Sequence, residues 1–149
     1  MSAGTISRRK MRFVAKLELM VAAGLVLFWV AFFTVDMNPF SGPHRRDIYM
    51  AFESSFPGAD LLLALFLVVG GTGMLRQKAS SSIFTLVSAG GLIFLGVVDI
   101  SFNLKQGIYG LGPVEAIMNG LINLTCLGVG FFLIRTIWQV WIKGQEKAI

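Results

Sequence analysis

Apolar residues in this chain come in long blocks. Uncharged runs cover Leu19–Val35, Leu61–Leu75, Ala79–Val98 and Ala116–Ile134, which are 17, 15, 20 and 19 residues long. A hydrocarbon layer about 30 Å thick takes roughly 20 helical residues at about 1.5 Å each. Three runs meet or nearly meet that length, and the second falls short at roughly 22 Å. Blocks such as LLLALFLVV, residues 61–69, lack the period-two alternation of a membrane barrel and predict helices. The expected fold is an all-α integral membrane protein: a four-transmembrane-helix bundle in one domain, residues 1–149. The spans are placed at about residues 14–35, 57–75, 82–103 and 113–135. They leave one long connection, a loop at residues 36–56.

Punctuation sharpens these bounds. Pro57 and Pro113 suit the first position of a helix, where a missing N–H is harmless. Ser55 or Phe56 would then cap the second span, and Gly107 or Gly110 would end the third. The glycines of VVGGTGML, residues 68–75, read as close helix packing.

Polar residues inside the blocks fall at helical spacing. In the third span, steps of three and four give Thr85, Ser88, Leu92, Gly96, Asp99, Asn103 and Gln106, small or polar at every step but Leu92. Such a face packs on other helices or lines a cavity, because lipid offers its polar groups no partner. Asp99 lies near the C-terminal end of its helix, where the dipole disfavours an anion, so it calls for a partner, a proton or water. Asp60 falls in a first turn and Glu115 at a third helical position, where capping and the dipole already account for a carboxylate. Capping does not account for Asn119 and Asn123, which continue from Glu115 in four-residue steps. The first span presents Glu18, Ala22, Leu25, Trp29, Phe33 and Asp36 on one face. Trp29 sits mid-span, and its indole N–H needs an acceptor. Glu18 reads as an acid at the inner end of that span.

Composition agrees with the membrane class. The chain is 55% hydrophobic and 14% charged, with mean hydropathy +0.74, against about 25% charged residues for an average soluble domain. Charge sets the orientation. Arg8, Arg9, Lys10, Arg12, Lys16, Arg76, Lys78, Arg135, Lys143 and Lys147 fall on one side, and Arg45, Arg46 and Lys105 on the other. By the positive-inside rule both termini are cytoplasmic. Trp138 and Trp141 fit an inner aromatic belt, and Tyr49 and Tyr109 an outer one. The expected location is the plasma membrane, which is the inner membrane in a Gram-negative cell. The net charge of +5 belongs to membrane flanks and lipid headgroups, not to nucleic acid. SRRKMRF, residues 7–13, leads into a run too long for an export signal and reads as a signal-anchor. One cysteine, Cys126, excludes a disulfide or a thiolate metal cluster within the chain.

Six of the eight acids then fall toward the outer side: Asp36, Asp47, Glu53, Asp60, Asp99 and Glu115. Insertion rules do not require this. The expected site is a polar pocket in the outer leaflet, built from Asp60, Asp99, Asn103, Glu115, Asn119, Asn123, Glu53 and Trp29. The connection 36–56 would fold over its mouth. His44, the sole histidine, is the weakest candidate, since a loop histidine is ordinarily just solvated. No metal or cofactor is implied. Three functions fit. The first is a non-enzymatic binding or transport module, with a homo-oligomer as the natural form for so few spans. The second is a membrane-embedded enzyme using paired carboxylates on a lipid or other apolar substrate. The third is an accessory subunit whose polar faces meet a partner's helices. Whether the chain catalyses anything stays open at this stage.

Overall fold

The computed structural model describes residues 3–145, and the side chains of residues 8–140. The helices are α1 (Ala3–Thr34), α2 (Pro43–Glu53), α3 (Pro57–Leu75), α4 (Ser81–Gln106) and α5 (Pro113–Gln145), with a short 3-10 turn at Ile108–Gly110. Among the described residues all regular structure is helical. Four helices are long and apolar enough to cross a membrane: α1, α3 with α2 running into it, α4 and α5. The side chains of Trp141 and Lys143, and all of Glu146 and Lys147, lie outside the described residues.

Local chemistry sets the ends where the sequence placed them. Phe56 caps α3 with Pro57 as its first residue, and Gly107 ends α4 at φ 68°, a left-handed conformation that glycine adopts without steric cost. Both terminal helices outrun their apolar blocks, because a helix satisfies its own backbone whether its side chains are apolar or charged. The connection 36–56 is not a loop throughout. Pro43 starts α2, PHRRDIYMAFE, which has no fully buried residue. Its polar composition hid it from a search for apolar blocks.

Packing runs in chain order: α1 lies on α3, α3 on α4 and α4 on α5, each pair antiparallel. Missing side chains make this possible. A Cβ on Gly71 would sit 2.9 Å from the Ala15 carbonyl oxygen, and one on Gly130 would sit 2.9 Å from that of Ala89. The glycine-rich stretch of α3 therefore serves close approach inside a continuous helix. The inward faces hold Ala15, Ala22, Leu67, Ala89, Leu92 and Leu133. Outside, Leu27, Phe94 and Leu124 are each more than 60% exposed.

The series does not close into a ring. α1 and α5 make no extended packing with each other. Phe13 and Phe132 meet edge to face, 5.9 Å between centroids, at the end that carries the termini. Toward the end that carries α2, the two helices part and leave a cleft.

Candidate functional site

The cleft is a cavity of about 710 Å³. α1 and α5 form its side walls, α4 contributes Leu92, Leu95 and Asp99, and the α1–α2 connection and α2 cover its end with Asn38, Pro39, Tyr49 and Glu53. Each of the last four helices brings one carboxylate to it: Glu53 from α2, Asp60 from α3, Asp99 from α4 and Glu115 from α5. α1 brings Trp29.

Trp29 and Asp60 form the best-defined pair. The indole Nε1–H donates to Asp60 Oδ2 at 3.0 Å, and the residues are 4% and 6% exposed. The bond answers the expectation that Trp29 needs an acceptor. Its local cause is plain: Asp60 sits in the first turn of α3, beside the positive end of the helix dipole. Asp99 is half-buried, and no described residue donates a hydrogen bond to it. It lies close enough to Glu53 and Asp60 for their charges to repel. Glu115 also faces the cavity, with Oε2 folded back over Gly112, 2.8 Å from where a Cβ would stand.

The amides split. Asn103 is buried and donates through Nδ2 to Asn119 Oδ1 at 3.3 Å, tying α4 to α5. Asn119 donates to the Glu115 carbonyl at 2.8 Å and lines the cavity. Asn103 stands behind it. Asn123 leaves the group. It is buried away from the cavity and donates to Tyr109 Oη at 2.7 Å. Eight residues turn a helix about 80° past two full turns, which carries Asn123 beyond the cavity-facing side of α5. α1 also departs from the face read in the sequence: Phe33 is 68% exposed, and Phe32, three residues after Trp29, is the buried ring. His44 is exposed on α2 and does not line the cavity.

Two basic residues at this end, Arg45 and Arg46, are engaged elsewhere. Arg46 pairs with Asp36 at 3.0 Å on the surface. Arg45 lies 4.0 Å over the Phe40 ring and donates to the Gln106 carbonyl. α2 is held by aromatic contact, with Phe52 stacked on Phe102 of α4 at 3.7 Å and Tyr49 at 6.4 Å from the same ring. Among the described residues, no three His, Cys, Asp or Glu side chains gather as metal ligands would.

Sequence reading missed two features. Cys126 and Tyr49 line the cavity; Cys126 carried no signal beyond its place in a block, and Tyr49 read only as part of an outer aromatic belt. Glu18, read in the sequence only as an acid at the inner end of the first span, lies within α1. It is fully buried between α1, α3 and α4, and neither carboxyl oxygen has a partner among the described residues. A Cβ on Gly70 would stand 2.8 Å from Glu18 Oε1, and Thr85, whose hydroxyl donates to the Ser81 carbonyl, borders the same point. The signal was present: Glu18 shares the inward face of Ala22 and Trp29.

The arrangement defines a class: a helical protein with an apolar exterior and an acid-lined cavity open between its first and last helices. No protein-family model, curated protein or solved structure matches the chain.

Proposed function

We propose that this chain is an integral membrane protein that binds a small molecule in the cavity between α1 and α5, without covalent chemistry. Both termini face the cytoplasm, and the α2 end faces the extracytoplasmic side of the plasma membrane. The uneven spread of Lys and Arg supports that orientation. The observation that carries the binding function is the convergence of Glu53, Asp60, Asp99 and Glu115, from four different helices, on one cavity of about 710 Å³. Ligand pockets commonly span about 300–1,000 Å³, mostly apolar with a few convergent polar groups. Acids in an apolar bundle are costly to keep, and capping accounts for Asp60 and Glu115 but not for Asp99.

Native mass spectrometry of the purified chain tests this reading, comparing wild type with Asp99→Asn and Asp99→Leu. The expected result is a small-molecule adduct on wild type that both variants lose while helical content and thermal midpoint hold. If wild type carries no adduct the binding reading fails, and an adduct that Asp99→Asn leaves unchanged while Asp99→Leu unfolds the protein makes Asp99 structural.

A further inference from the structure

The Asp, Glu, Lys, Arg and His residues that line the cavity are all acids. Its lining includes Asp36, Glu53, Asp60, Asp99 and Glu115, and no Lys, Arg or His. Asp36 is neutralised by Arg46 outside the cavity, which leaves four acids without a cation. Aromatic faces stand among them: Trp29, Phe28, Tyr49 and Phe56. Carboxylates beside aromatic rings make a receptor for an ammonium group, which gains from both the charge and the ring quadrupole.

The remaining wall is apolar and reaches the side of the protein. Met20 of α1 and Leu121 of α5 border the cavity, and they are 70% and 59% exposed. Leu17, Val21 and Leu25 continue that wall toward the Phe13–Phe132 contact. The space is therefore polar and anionic at the α2 end, apolar along its length, and open laterally between two helices.

We propose that this cleft takes up a lipophilic ammonium ion from the bilayer. Its cationic head lies among Asp99, Glu53 and the Trp29 and Tyr49 rings, and its apolar body runs between α1 and α5. The proposal rests on the reading of the cavity as a ligand site and names the ligand class. Charge argues against an ordinary phospholipid, whose phosphate would enter among uncompensated carboxylates.

The test follows Trp29 emission in a Trp138→Phe, Trp141→Phe chain in nanodiscs, with empty discs as the blank. Three probes share one alkyl chain: dodecyltrimethylammonium, dodecan-1-ol and dodecyl sulfate. The expected result is a saturable one-to-one response to the ammonium probe alone, weakened at least about tenfold by Asp99→Asn and by Glu53→Gln. Two variants are used so that a folding defect in one does not decide the matter; circular dichroism reports folding. An equal or stronger response to the alcohol or the sulfate overturns the ammonium assignment and leaves the cavity a ligand site. No saturable response to any probe overturns both readings. An α1-to-α5 cross-linked dimer that excludes all three probes has the same force and places a second copy in the cleft.

Discussion

Trp29 and Asp60 are 31 positions apart in sequence and share one hydrogen bond. Each solves the other's problem, since an indole N–H and a carboxylate are both costly when buried unpaired. Trp29→Phe keeps an aromatic ring and strands Asp60. The expected loss is about 1–3 kcal/mol of unfolding free energy, read by denaturant titration in detergent. Asp60→Asn keeps an acceptor and is expected to cost under about 1 kcal/mol. Glu18 is the opposite case: a buried acid with neither oxygen paired, pressed against a glycine. Gly70→Ala drives a methyl into Oε1 and is expected to cost about 1–3 kcal/mol. In a Glu18→Ala background the penalty should shrink, and the difference is the coupling a double-mutant cycle reads. Equal penalties in both backgrounds would mean that Glu18 does not touch Gly70.

At the scale of the element, most of what the helices do could be read from one dimension. Pro57, Pro113 and Gly107 mark their ends by local chemistry, which needs no tertiary context. Thr85, Ser88, Leu92, Gly96 and Asn103 are all buried, as a face too polar for lipid must be. Legibility failed where a rule was pushed past its range. A four-residue step followed for two turns drifts off the face, which misplaced Asn123. α2 is polar on average and forms no apolar block, so a reading built on such blocks passed over it. Its hold on the bundle is narrow. Phe102→Ala removes the ring on which Phe52 stacks, and α2 amides should then exchange faster while those of α3 and α4 keep their protection. The α3–α4 turn carries its own cost, with Gln77 at φ 56°, a conformation L-residues adopt at about 1 kcal/mol or more. Gln77→Gly is expected to raise stability by about 0.5–1 kcal/mol in the same denaturant assay.

At the scale of the molecule, the order of neighbours matters more than any single face. Four polar or aromatic faces can be read separately, but nothing in one chain's sequence says that α1 and α5 stay apart. That separation turns an inward wall into a cleft with a lateral mouth. The charge rule does speak to orientation at this scale. Ser41 lies in the α1–α2 connection and Ser80 in the α3–α4 turn, both exposed. In a Cys126→Ala background, a membrane-impermeant maleimide added to spheroplasts should label Ser41→Cys and spare Ser80→Cys until the membrane is opened. The reverse pattern would invert the molecule.

The convergence of acids on an outward cavity is tested most directly at residue 99 itself. Asp99→Cys in the Cys126→Ala background can be reacted in spheroplasts with two impermeant methanethiosulfonates, one cationic and one anionic. The expected result is modification from outside, faster with the cationic reagent, because Glu53, Asp60 and Glu115 still line the cavity. Modification only after the membrane is opened, or an equal rate for the two charges, would contradict it.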